Sequence, residues 1–312
     1  MHHVAIVGAA SSIGLRPDDR TRQPQAVNRA PAALRAAAVV ERLSARDLGD
    51  VTPPPYRDFE RPPGRPRNEL EVADYSRSLG KVVAAGLAER RFVVVLGGDC
   101  SIVLGCLLGA RHNGERIGLA YVDAHADFAT PAESATGSVA SMSLALAVGH
   151  GDSDLARLAD GPLVDAAAVA LIGRRDAGQS YGHEALARSG ILDLPDLSLD
   201  VRSVPATAEA VLARVAGAGI DGFWILVDCD VLNPTVMPAT GAHEPGGPTG
   251  EELGSFLARL AGHPRALGMA LTLYDPSLDA DRSSAMLLVD LLAAALSSRP
   301  AEHPAKEEGI TS

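Results

Sequence analysis

Short, continuous apolar runs alternate with Ala- and Leu-rich segments along almost the whole chain, and this alternation constrains the fold most. The runs at 4–7, 92–96, 119–122, 168–172, 223–227 and 267–273 have the length and β-branched content of strands. Segments 31–44, 74–89, 102–111, 141–148, 206–216, 250–261 and 282–296 read as helices. A strand with one wet face alternates polar and apolar residues. These mostly do not, so both faces are covered, as in a parallel sheet between helical layers. The expectation is an α/β fold: three layers, α/β/α, around a central, mostly parallel sheet. No linker interrupts the alternation, so residues 1–297 are expected to form one domain. Residues 298–312 are polar and contain proline, and are expected to be a disordered tail. The proline-rich stretch at 52–67 reads as a long surface loop.

Charge narrows the partners. Lys and Arg number 28 against 39 Asp and Glu, a net charge of −11, which argues against nucleic acid and weakly favours a cationic ligand. Three cysteines without a Cys-x-x-Cys pair suggest a reducing, cytoplasmic setting rather than a disulfide framework. No run is long enough to span a membrane. Gly8-Ala-Ala-Ser-Ser-Ile-Gly14 follows the first strand but lacks nucleotide-loop spacing, so a tight turn is the better reading.

The chemistry concentrates at strand ends, where open parallel sheets gather ligands. Asp123-Ala-His125-Ala-Asp127 follows one strand, Asp228-Cys-Asp230 another, and Gly97-Gly-Asp-Cys100-Ser101 a third. If those strands continue extended, Asp123, His125 and Asp127 share one side, as do Asp228 and Asp230. The small residues between them then face away. A lone Asp after a strand is usually a cap or turn residue. Two such acidic motifs with an imidazole are less accidental, because clustered carboxylates repel unless cations neutralise them. An oxygen-rich set with one imidazole suits Mn²⁺, Mg²⁺ or similar ions better than structural zinc. Cys100 is either a soft thiolate ligand or a core thiol. Cys106 reads as helix packing.

These motifs resemble those of the ureohydrolases: arginases, agmatinases, guanidinobutyrases and formimidoylglutamases. The resemblance runs from Gly8 and Asn28-Arg-Ala-Pro-Ala-Ala-Leu-Arg35 to Gly173-Arg-Arg-Asp176, Asp228-Cys-Asp-Val-Leu-Asn-Pro234 and Leu273-Tyr-Asp-Pro276. It implies an arginase-like fold, two divalent ions (manganese in the family) and hydrolysis of a guanidino- or amidine-type C–N bond. It assigns one ion to Asp123, His125, Asp228 and Asp230. The other falls to Asp123, Asp127, Asp228 and Cys100, which stands where the family usually has His. Asp99 would orient ligands, and Asp127 would be the catalytic proton carrier. The resemblance also implies a small cationic guanidino-type substrate and a homo-oligomer, trimer or hexamer.

The resemblance has gaps. Ser138 and Ala140 align with the family's Asn and proton-shuttling His, Leu273 with its guanidinium-pairing Glu, and Asn233 with a usual Asp. A substrate other than plain arginine is therefore expected. The cysteine exchange is similar to that of the Nω-hydroxyarginine amidinohydrolases. Substrate contacts are expected from 128–138 and 173–181, with Glu133, Ser138 and Asp176 as the polar candidates. Two other readings stand beside this one: a metal-poor binding or regulatory protein, and an amide hydrolase on the same fold.

Overall fold

The computed structural model describes residues 3–18, 23–57, 61–112, 114–176, 182–195, 199–200 and 202–299. Eight strands run parallel in one sheet: β1 Val4–Ala9, β2 Arg46–Val51, β3 Phe92–Leu96, β4 Ile117–Val122, β5 Val169–Ile172, β6 Leu192–Leu194, β7 Gly222–Asp228 and β8 Ala266–Thr272. Their spatial order is β2-β1-β3-β8-β7-β4-β5-β6. The helices are α1 Ala30–Ala36, α2 Val39–Arg42, α3 Glu69–Ala88, α4 Ile102–Ala110, α5 Ser143–Ala147, α6 His183–Ser189, α7 Val204–Val215, α8 Gly250–Ala261 and α9 Ser283–Leu296.

The continuous apolar strands supply two cores at once. In β3, Phe92, Val94 and Leu96 face the layer made by α1, α7, α8 and α9. Val93 and Val95 face the layer made by α3 and α4. The same division runs through β4 and β7, where Ile225 and Val227 lie on one face and Trp224 and Leu226 on the other. That is the three-layer arrangement the uninterrupted runs imply, with side chains alternating across a sheet covered on both sides. No described helix is long and apolar enough to cross a membrane.

Three elements escape the apolar-run criterion. Strand β2 is largely exposed and polar; it is an edge strand whose ladder to β1 needs no apolar face. Strand β6 is short and only partly buried at the other edge, and α6 precedes it. The helix expected over 31–44 breaks at Ala38, which adopts the left-handed region at φ 62° and starts a second short helix. The described part of the 52–67 loop is irregular as expected, and residues 58–60 lie outside the described set. Most of the 298–312 tail also lies outside it.

The topology opens the sheet at its carboxyl edge. Strand β3 leads through α4 to β4, yet β8 and β7 lie between β3 and β4. Loops after β3, β8, β7 and β4 therefore meet at one place, a switch point of the kind that binds ligands in open α/β sheets. Glycines make the first loop possible. A Cβ on Gly97 would lie 2.3 Å from the Leu271 carbonyl oxygen, and one on Gly98 would lie 1.9 Å from that of Ser11. The chain after β3 threads between the ends of β1 and β8, held by Gly97 N donating to Leu271 O and Leu273 N donating to Gly98 O.

Candidate metal centre

Asp123 and Asp228 end up adjacent because β4 and β7 pair in register, Val122 opposite Val227. Beyond them the backbone does not stay extended, contrary to the period-two expectation. Strand β4 stops at Val122, and Asp127 is left-handed at φ 46°. Strand β7 ends on Asp228 itself, followed by a single 3₁₀ turn at Cys229–Val231. The cause is local. Asp123 Oδ1 accepts from His125 N at 2.7 Å, and Asp228 Oδ1 accepts from Asp230 N at 2.9 Å. Each aspartate thus turns its own backbone two residues on, and the turn draws its partner inward. The residues between face elsewhere. Cys229 is buried in the core below, while Ala124 N and Ala126 N donate to Asp230 Oδ1 and Asp176 Oδ2.

The turns commit one oxygen of each acid and leave another toward the cluster. Asp123 Oδ2 and Asp230 Oδ2 are buried and make no aligned hydrogen bond. His125 Nδ1 lies 3.0 Å from Asp230 Oδ2 and 3.5 Å from Asp123 Oδ1. Two overlapping groups result: Asp123, His125 and Asp230, and Cys100, Asp123 and Asp228. Within each, the possible ligand atoms lie within 4.8 Å of one another. Cys100 Sγ is 2.7 Å from Asp228 Oδ2, which also accepts from Thr272 Oγ1 at 3.1 Å. Asp127 belongs to neither group. Its Oδ2 accepts from Tyr121 Oη at 2.5 Å and from Ser143 Oγ at 3.3 Å.

The electrostatics are those of a site short of positive charge. Burial, then mutual repulsion, pushes Asp123 and Asp228 well above the usual carboxylate range. Burial also raises Asp127, to about 7, although the Tyr121 hydroxyl resists the rise. Burial opposes a charge on His125, but Asp123 and Asp230 outweigh it and push the imidazole up to about 12. Burial and then Asp228 push the Cys100 thiol up, so without a cation it stays protonated. A divalent ion would take the place of these protons.

These residues form the floor of a pocket of about 380 Å³. Ser138 lines it, with Oγ accepting from Arg16 N, and so do Ala140 and Leu273. Asp176 also borders it, but one of its oxygens holds Ala126 N and Arg174 Nη1 lies 3.5 Å from the other. Glu133 is not brought in. It is exposed, and its carboxylate accepts from Thr130 N and Oγ1, closing the turn that carries it away from the pocket. Residues 177–181 of the other expected contact segment lie outside the described residues. Asp99 is buried beneath Cys100, where it accepts from Ser101 N and Gly14 N. That second bond explains the Gly8–Gly14 turn, which packs on the β3 loop: a Cβ on Gly14 would lie 2.2 Å from Asp99 Oδ1.

Three participants lacked a sequence signal. Tyr121 and Ser143 look like core residues, and only the fold turns their hydroxyls to Asp127. Glu244, 8% exposed, reaches the pocket from the irregular loop before α8, with Oε1 3.8 Å from His125 Nε2.

A parallel sheet with carboxylates and an imidazole gathered at its switch point is a layout that can hold metal ions. Comparison with known proteins narrows this. A model of the arginase family matches residues 2–297. Arginase from Bacillus caldovelox is 30% identical over 301 residues, covering 94% of this chain and 97% of that protein. Its native structure has a TM-score of 0.83, covering 95% and 98% of the two chains at 29% identity. Proclavaminate amidino hydrolase from Streptomyces clavuligerus shares the fold at 18% identity, with a TM-score of 0.73 and coverage of 95% and 91%. The chain belongs to the arginase family. Membership implies a binuclear metal site. The buried Asp123 oxygen without a hydrogen bond, the adjoining His125 and Asp230, and the carboxylates held at raised pKa fit one.

Proposed function

We propose that this protein hydrolyses a guanidino- or amidine-type C–N bond in a small cationic substrate other than plain arginine, using two divalent ions. The observation that carries the reading is the convergence of two ligand groups on Asp123, one with His125 and Asp230 and one with Cys100 and Asp228, with Asp123 Oδ2 buried and left without a hydrogen bond. One ion would be held by Asp123, His125, Asp228 and Asp230. The other would be held by Cys100, Asp123, Asp127 and Asp228. Manganese suits the oxygen-rich half, whereas the thiolate half favours a softer ion. When bound, such a pair polarises a trigonal carbon's substituents and lowers the pKa of water.

The chain's own groups do the rest. Asp127 takes a proton from the attacking water and passes it to the leaving nitrogen. Tyr121 and Ser143 fix its carboxylate for both transfers. Ser138 and Asp176 contact the substrate from the wall; Glu133 does not. Leu273 offers no carboxylate to a guanidinium and Ala140 no imidazole, which supports a substrate other than arginine. We further infer a cytoplasmic homo-oligomer.

The test is elemental analysis of purified protein combined with a panel of arginine, agmatine, guanidinobutyrate, formimidoyl and hydroxyguanidino compounds, scored for urea, ammonia or hydroxyurea release. Turnover of a non-arginine member with bound metal is expected. Stoichiometric metal with arginine as the best substrate would refute the substrate assignment. Absence of metal and turnover would favour a binding protein.

A further inference from the structure

Glu244 stands outside both ligand groups, yet it touches one of their members. His125 presents its two ring nitrogens to opposite sides. Nδ1 faces Asp123 and Asp230; Nε2 faces Glu244 Oε1 at 3.8 Å. An imidazole that binds an ion through one nitrogen carries its proton on the other. A carboxylate there fixes the tautomer, fixes the ring and raises ligand basicity. At 3.8 Å the contact is an ion pair rather than a hydrogen bond.

The loop bearing Glu244 is not free to place it elsewhere. Arg175 donates to the Glu244 carbonyl oxygen and to those of Asp230, Val231 and Gly173. One guanidinium therefore ties this loop to the turn carrying Asp230 and to the end of β5. Gly247 lets the loop lie against both. It is left-handed at φ 94°, and a Cβ there would lie 2.5 Å from Val231 O and 2.9 Å from the Arg175 guanidinium. Glu244 itself is buried. Burying a carboxylate is costly unless it is paired, and His125 Nε2 stands 3.8 Å from its Oε1.

We propose that Glu244 is a positioning residue: it accepts the Nε2–H of His125 and so holds Nδ1 toward Asp123 and Asp230 as a metal donor. This rests on the metal-centre reading above and adds a fifth participant to the His125 half, drawn from a different loop. It gives Glu244 no direct contact with the ion and no selection of substrate.

Mn²⁺ titration of the metal-free full chain, with bound ions counted by equilibrium dialysis and elemental analysis, tests the proposal. Wild type is expected to bind two ions. E244A should bind one unchanged and the other about 10–100-fold more weakly. E244Q keeps the shape and an acceptor oxygen without the charge; it should fall between, and it carries the test if E244A does not fold. H125A should weaken the same ion, and adding E244A to H125A should cost almost nothing more, because coupled residues are not additive. Unchanged Mn²⁺ binding in E244A and E244Q, with only KM raised, would make Glu244 a substrate contact and overturn the proposal. So would an equal loss from E244A with and without His125. A wild type that binds no Mn²⁺ would instead refute the metal centre itself.

Discussion

The two halves of the proposed metal centre share Asp123 and Asp228 but meet a cation in different states. In the His125 half, the imidazole Nδ1 faces Asp230 Oδ2 at 3.0 Å and Asp123 Oδ1 at 3.5 Å, while Asp123 Oδ2 is buried without a hydrogen bond. In the Cys100 half, Asp228 Oδ2 is already engaged by the thiol and by Thr272, and Asp127 is drawn aside by Tyr121 and Ser143. The first half carries its own positive charge as an imidazolium, so a cation has only that proton to displace and an open Asp123 oxygen to fill. The second satisfies itself with neutral hydrogen-bond donors, which a cation must displace. Unequal affinity therefore follows from the different groups a cation displaces in each half, as well as from the softness of sulfur.

Asp228 serves both halves, so D228A should abolish the binding of both ions and turnover together, as read by elemental analysis and product release. Two ions retained per chain in that variant would dissolve the comparison. Cys100 serves one half only. C100A should cost one ion at least the roughly 10–100-fold that loss of an outer partner costs, leaving the other intact. In Co²⁺-loaded wild type a sulfur-to-metal charge-transfer band should appear in the near ultraviolet and vanish in C100A. Loss of both ions would show that the halves are not separable.

Tyr121 tests the restraint on Asp127. Y121F removes a hydrogen bond to a carboxylate, about 1.5–3 kcal/mol, so turnover should drop about tenfold or more. Because that bond lowers the Asp127 pKa, its loss should move the acid limb of the kcat/KM profile to higher pH. An unmoved limb would assign the proton to another group.

The smallest effect concerns stability. Asp127 is raised to about 7 and His125 to about 12. A group raised in the folded state stabilises fully below its unfolded pKa, near 4 for the carboxyl and 6.5 for the imidazole, and that stability fades as pH rises toward the folded value. Metal-free protein should therefore lose roughly several degrees of Tm between pH 5 and 9. Mn²⁺ should reverse the trend, since metal competes better as protons leave. A Tm gain from Mn²⁺ that does not grow with pH would contradict this origin of the shifts.

How much of this was legible follows from what burial does to sequence. Strand β3 and the ends of β4 and β7 could be read because a central parallel strand must be apolar on both faces, and Asp123 and Asp228 interrupt such runs abruptly. Strand β2 could not, because an edge strand with a wet face carries no such mark. The ligand types were readable, but their geometry was not. The carboxylates turn their own backbone, so the side chains converge by folding back rather than by strand alternation. Glu133 is turned from the pocket by Thr130, which nothing in the sequence marks as its partner. Glu244 and Tyr121 stayed hidden because one lies on a loop without periodicity and the other inside a strand that looks like core.

The most direct test of the central claim is a Mn²⁺ titration of metal-free wild-type protein by isothermal calorimetry. The account predicts two ions per chain in two resolved steps, with C100A removing only the weaker one. Two indistinguishable steps, or loss of the tighter ion in C100A, would contradict it.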